Sequence, residues 1–203
     1  MSSTTEPRAS AMPILRTERL VIRPLEPADL DACHRLYSDI AWYDAARSNA
    51  ENRERKRSWI AWSAASQREL PRLHQPPLVD NAVVDGRSGA FVGLAGLVTT
   101  LEPFGVLPSF GGDPLAMNTL EVGLFWAISP SRHREGLATE AAGALVAFGF
   151  GELGLARIVA TTEHANAASI GVMRRLGMTV ERNPHPMPVH FQTVGRLDAG
   201  AQS

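Results

Sequence analysis

The sequence predicts a single α/β domain built on a mixed sheet, and three observations predict it. Residues 120–180 read strand, helix, strand, helix, an order that requires a parallel strand pair across the crossover. The β-rich runs before and after that unit are joined by Gly- or Pro-containing connections and read as antiparallel hairpins. The 203 residues, 44% of them hydrophobic, suffice for one sizeable core, and no internal repeat or clear linker divides them. The domain is expected over residues 13–198, between a small, polar, flexible N-terminus of residues 1–12 and a tail of residues 199–203.

Composition excludes several classes. A net charge of −1 offers no global field for nucleic acid or an anionic membrane. One cysteine, Cys33, rules out an internal disulfide framework and a cysteine-based zinc cluster. His164, His185 and His190 lack metal spacing, so no metal is expected. No run reaches the roughly 18 apolar residues of a membrane span. The opening MSSTTEPRAS lacks the apolar core of a secretory leader, and a cytoplasmic location is expected.

The elements follow in order. Residues 14–15 offer a short apolar lead-in, and residues 19–25 a first strand ended near Pro24. Pro27 suits a first helical turn, and Leu30, Cys33, His34 and Tyr37 form one helical stripe. A second helix is expected over residues 50–67. Its basic first half, ENRERKR, reads as a solvated face, and Trp59 and Trp62 read as core. Residues 78–84 and 91–98 form a hairpin around Asp85-Gly86-Arg87-Ser88-Gly89. Gly93 and Gly96 inside its second strand signal a bulge or a close backbone approach. Residues 99–118, rich in Gly, Pro and Phe, are a long connection. They form either a lid or substrate wall, or an insertion that packs its phenylalanines locally or against a second subunit, so a homodimer stays open.

The stretch TLEVGLFWAISPSRHREGLATEAA, residues 119–142, is the centre of the chain. Residues 120–128 are almost wholly apolar, as in a strand buried on both faces. Ser129-Pro130-Ser131 ends it, and a basic turn leads through Gly136 into a helix to about residue 153. A helix start with unpaired N–H groups beside arginines suits a phosphate-bearing ligand. Residues 157–162 are a strand, residues 167–176 a helix closed by Gly177, and residues 178–182 and 188–197 two last strands. Ligand binding is expected at the carboxyl end of the central strands.

Three segments, TERLVIRPLEPADL, EVGLFWAISPSRHREGLATEA and ARIVATTEHANAASIGVMRRLGM, together resemble the GNAT superfamily of acetyl-CoA-dependent N-acetyltransferases. The resemblance runs from about residue 15 to 197 and is to the branch holding the ribosomal-protein N-terminal alanine and serine acetyltransferases. It implies a seven-stranded, mostly antiparallel sheet with a central parallel pair, residues 120–128 and 157–162, that splays apart between flanking helices. It implies that the pantetheine arm lies along Phe125, Trp126, Ala127 and Ile128. The pyrophosphate loop falls on His133, Arg134, Glu135, Gly136, Leu137, Ala138 and Thr139, and further coenzyme contacts on Asn166 and Ser169. Acetyl-CoA would be the co-substrate, with no metal. The acceptor would be a primary amine, on a protein N-terminus or a small molecule, acetylated directly in a ternary complex. The loop departs from the family pattern at three places. His133 stands for glutamine, arginine or an aromatic, Arg134 for the usual glycine, and Glu135 for an often basic residue. Met173 stands where many members place a tyrosine acid.

Candidate catalytic residues carry alternatives. Glu121, a carboxylate in an apolar strand, is either the base or the partner of an arginine. Ser169 either donates to the leaving sulfur or serves as a cap or packing residue. Cys33, on an apolar stripe, reads as a core thiol. Set against catalysis are an inactive acyl-CoA-binding or regulatory module and a nucleotide-binding α/β protein.

Overall fold

The computed structural model describes residues 12–200; residues 1–11 and 201–203, and with them most of the expected terminal segments, lie outside the described residues. One sheet carries eight strands: β1 (Leu15–Arg16), β2 (Leu20–Pro24), β3 (Asp80–Asp85), β4 (Phe91–Glu102), β5 (Thr119–Ile128), β6 (Arg157–Thr162), β7 (Thr179–Arg182) and β8 (Thr193–Asp198). Their order is β1-β2-β3-β4-β5-β6-β8-β7, with only β5 and β6 parallel. The two-residue β1 adds an edge to the seven strands expected. The helices are α1 (Leu30–Asp39), α2 (Asn49–Glu69), α3 (Leu137–Gly151) and α4 (Ala167–Arg175).

Glycines let the central strands approach. At Gly93 a Cβ would lie 2.2 Å from Ala127 O, and at Gly96 one would lie 2.6 Å from Val79 O. The register also slips between Val83 and Val84, so both readings of that strand are met. β4 and β5 pair without interruption from Gly93↔Ile128 to Glu102↔Thr119. β5 and β6 pair only at Gly123↔Val159, and the two strands part beyond it.

α3 and α4 cover one face, burying Leu145, Val146, Met173 and Met178 against Leu20, Ile22, Leu124 and Leu197. The other face has two covers. α1 and α2 place Cys33, Leu36 and Ile60 over Ala82, Leu94 and Ala127. Residues 103–118 place Phe104, Val106 and Leu107 over Val159, Phe191 and Val194. The connection is thus an insertion that packs its own phenylalanines. It is shorter than expected because β4 continues to Glu102.

Three further expectations are corrected. Lys56, inside the basic run, is buried at 7% exposure, while Trp62 is exposed at 56%. α2 turns Asn52, Lys56, Ser63 and Gln67 to the sheet, so its inner stripe is mostly polar. Residues 189–191 form a 3-10 turn, and the last strand starts only at Thr193. Among the described residues no helix is long and apolar enough to cross a membrane, and no group of His, Cys, Asp or Glu is placed to hold a metal ion.

Candidate active site

The seam opens because the backbone of β5 has lost its second neighbour. The Ser129 N–H donates to Val92 O at 2.9 Å. Bonding direction alternates along an antiparallel ladder. Ala127, Phe125 and Gly123 therefore also turn their N–H and C=O groups toward β4. Leu124 turns its groups toward β6 at the single pairing with Val159, and Trp126 and Ile128 turn theirs the same way, where β6 has already diverged. Of the four residues expected along the pantetheine arm, the geometry brings Trp126 and Ile128 to the open edge. It sets Phe125 and Ala127 with their side chains against the α1–α2 cover. The Ile128 carbonyl is taken by His133 Nε2 at 2.9 Å, so His133 caps the strand end with that nitrogen. Among the described residues the Trp126 amide is left with both its donor and its acceptor free at the seam, and Ile128 keeps its N–H free beside it.

The loop beyond it is a cradle of N–H groups. Arg132 N–H donates to Ser129 O and His133 N–H to Pro130 O, while Glu140 N–H donates to Gly136 O. Among the described residues no acceptor takes the N–H groups of residues 134–139. Two left-handed residues shape this run. Gly136 has φ of 79°, where a glycine is at ease. Arg134 has φ of 66°, so the glycine-like backbone is kept where the glycine is absent. Thr139 Oγ1 is buried just inside α3 and has no partner among the described residues. Six free donors and an orphaned hydroxyl at a helix start fit a pyrophosphate.

Charge in the loop is sorted by pairing. Arg132 Nε binds Glu135 Oε1 at 2.8 Å, and its Nη2 lies 3.5 Å from Asp85 Oδ2. The hydrogen bond from Arg132 lowers the Glu135 carboxyl below its ordinary range. Hydrogen bonds from Ser88 push Asp85 down to about 2. Arg132 is thus consumed in neutralising acids, and Arg134, exposed and in no ion pair among the described residues, is the loop's unpaired cation. A clamp holds the loop from below. Arg19 binds Glu140 Oε2 at 2.7 Å through Nε and Glu135 O at 2.9 Å through Nη1, and Thr17 binds Glu140 Oε1 at 2.5 Å. This clamp was not legible in the sequence, where Arg19 belonged to a strand and Glu140 to a helix.

The remaining candidates stand around the seam. Asn166 caps α4, its Oδ1 accepting the Ser169 N–H at 3.0 Å. The Ser169 hydroxyl has no protein partner among the described residues. Met173 is fully buried in the α3–α4 core. Glu121 shares the face of Phe125 and pairs with Arg157 at 3.0 Å. Arg157 also binds Asp198 at 3.1 Å and lies 4.7 Å from the Phe110 ring. A cleft of about 320 Å³ opens there, lined by Leu120, Glu121, Leu155 and Arg157 among others. It sits at the amino end of β5, away from the N–H cradle.

A family model described as an acetyltransferase (GNAT) domain matches residues 19–179. The uncharacterized N-acetyltransferase YnaD of Bacillus subtilis is 41% identical over 64 residues. That stretch spans 32% of this chain and about a third, 36%, of the relative. An acetyltransferase structure from Agrobacterium tumefaciens superposes with a TM-score of 0.64 at 23% identity, covering 92% of this chain and 94% of that one. The ribosomal-protein-S5-alanine acetyltransferase of Vibrio fischeri gives 0.62 at 14%, covering 93% and 98%. The RimL ribosomal alpha-N-protein acetyltransferase in complex with coenzyme A gives 0.60 at 16%, also covering 93% and 98%. At these identities the structural likeness is one of fold.

Proposed function

The chain belongs to the acetyltransferase (GNAT) family, and from that premise we propose that it is an acetyl-CoA-dependent N-acetyltransferase acting on a primary amine by direct transfer. The amine is on a protein N-terminus or a small molecule. The observation that carries the reading is the free Trp126 amide followed, around the strand end, by the unpaired N–H run of residues 134–139. Such a track suits a ligand with amides at one end and phosphates at the other.

Acetyl-CoA, when bound, supplies the acetyl group as a thioester. The chain supplies the rest. The N–H groups of residues 134–139, with Thr139 Oγ1 and the Arg134 guanidinium, would hold the pyrophosphate. Trp126 would pair with the arm, and its N–H is a donor for an oxygen that gains negative charge. Asn166, whose amide nitrogen is not used in capping, and Ser169 would contact the coenzyme on the α4 side. Glu121 is the proposed base, acting through water, with Arg157 holding its carboxylate in place. Ser169 is the proposed donor to the departing sulfur; buried Met173 has no proton to give.

A thiol-release assay with acetyl-CoA over a panel of amines and peptides tests the reading. Turnover on at least one acceptor, with kcat reduced 10-fold or more by Glu121→Gln, is expected. The buried Met173 favours a second reading, a coenzyme-binding module without catalysis. Coenzyme binding with no turnover on any acceptor would establish it instead.

A further inference from the structure

α2 buries a polar stripe, and most of its donors are accounted for, while Gln67 Oε1 has no partner among the described residues. Asn52 Nδ2 donates to Asp44 O at 3.2 Å, Ser63 Oγ to Asp80 O at 3.0 Å, and Gln67 Nε2 to Asn81 Oδ1 at 2.9 Å. Lys56 and Asp80 are not. The Lys56 ammonium lies 3.1 Å from the Tyr37 ring centroid and 4.1 Å from that of Trp59, and among the described residues it donates no hydrogen bond. Asp80 opens β3 on the same side of the sheet. Its Oδ1 is buried and accepts nothing, and among the described residues its carboxylate is in no ion pair. Burial pushes Asp80 up to about 6 and Lys56 down to about 8. The chain therefore keeps a buried carboxylate and a buried ammonium near each other without joining them.

Their place in the sheet gives them meaning. Asp80 lies opposite Gly96, and Gly96 opposite Phe125. Residues directly opposite share a face, so Asp80 and Phe125 are two strand spacings, roughly 10 Å, apart on the α1–α2 side. Nothing from β4 stands between them, because Gly96 has no side chain. A Cβ there would fall 3.0 Å from Asp80 Oδ1. Phe125 is the neighbour of Trp126 and lies just past the point where β5 and β6 part. Its ring stacks on Trp42 at 5.7 Å, and Trp42 is 57% exposed. The row thus runs from the exposed Trp42, past the open seam, to Asp80.

We propose that Asp80, with the ring faces of Tyr37 and Trp59, forms the subsite that takes the acceptor's ammonium group, and that Lys56 is the built-in cation resting on those rings until the acceptor arrives. The inference rests on the amine-acetylating reading and names where that amine first docks. A carboxylate beside aromatic faces is the chemistry that recognises a primary ammonium. An anion would be repelled by Asp80, and an apolar group would leave Oδ1 unpaired. Asp80 is a single carboxylate with Lys56 close by, so the subsite takes one ammonium and disfavours a polycation.

Titration of the isotope-labelled protein with n-butylammonium chloride, followed by backbone amide NMR, tests the subsite without requiring turnover. Sodium chloride at equal ionic strength is the control. The expected result is saturable shifts confined to the amides around Asp80, Gly96, Phe125 and Tyr37. Asp80→Asn should weaken binding at least 10-fold, and Lys56→Met should tighten it at least 3-fold, with the remaining spectrum unchanged. Shifts reproduced by sodium chloride, shifts located elsewhere, or equal binding by Asp80→Asn would overturn the inference. Should Asp80→Asn fail to fold, the location of the wild-type shifts and the Lys56→Met response decide it. Absence of acetyl transfer over the amine panel would instead overturn the proposed activity and leave this titration to stand by itself.

Discussion

Replacing Arg134 by glycine should raise thermal stability and weaken coenzyme binding at the same time. Arg134 sits at φ of 66°, where a side chain costs roughly 1–2 kcal/mol relative to the right-handed region. Glycine removes that cost. It also returns roughly 0.5–1 kcal/mol through the greater freedom of the unfolded chain. The net gain is about 0.5–1 kcal/mol, which in a chain of 203 residues corresponds to a rise in Tm of about 1–4 °C. The same change removes the loop's unpaired guanidinium. A solvated charge beside a phosphate contributes about 1 kcal/mol, so coenzyme Kd should rise about 5-fold. Arg134→Ala separates the effects, since alanine keeps the strained backbone and loses the charge. It should weaken coenzyme binding as much as glycine does without the gain in Tm. Differential scanning calorimetry and isothermal titration with coenzyme A read the two quantities. A glycine variant no more stable than the alanine variant would refute the strain argument. Unchanged affinity in both would refute the assignment of Arg134 to the phosphates.

Thr139→Val should leave the free protein as stable or up to about 1 kcal/mol more stable, because it removes a buried hydroxyl without a partner. Coenzyme affinity should fall in the same titration. Met173→Tyr should lower Tm by several degrees rather than create an acid. Met173 is fully buried, and its sulfur would lie 3.2 Å from a Cβ at Gly195, so a larger ring has no room. Calorimetry checks it, and a stable, more active variant would count against the packing described. Gly93→Ala should cost more than about 3 kcal/mol in chemical denaturation, since its Cβ would meet backbone rather than a movable side chain. Burial pushes the Cys33 thiol up to about 12, so a thiol reagent at pH 8 should label the folded protein far more slowly than the unfolded one.

What could be read in the sequence was local. Residues 119–142 announced a buried strand, a basic turn and a small-residue helix start, and each is where the pattern put it, because period, proline and glycine act within a few residues. The left-handed Arg134 was hidden for the opposite reason: its identity argued against the conformation that Gly136 and the helix impose. Reading α2 failed on both faces. Trp62 is apolar yet exposed, and Lys56 is charged yet buried, because the Tyr37 and Trp59 rings make a place for its ammonium. Whether Glu121 meets an arginine depends on Arg157, a strand away, which periodicity cannot register. The insertion was visible as a segment, but its attachment to Val159, Phe191 and Val194 depends on residues up to 90 positions later.

The clamp from Thr17 and Arg19 to Glu140 joins positions 121 to 123 residues apart in the chain. Such a contact carries a high cost of chain closure and belongs late in folding. During synthesis Arg19 leaves the ribosome long before the turn after β5 and Glu140 exist, so Arg19 waits without its partners until both emerge. The cradle therefore gains its brace only when residues 17–19 meet α3. A chain begun after Arg19 would keep the same loop sequence but lose the brace that shapes it.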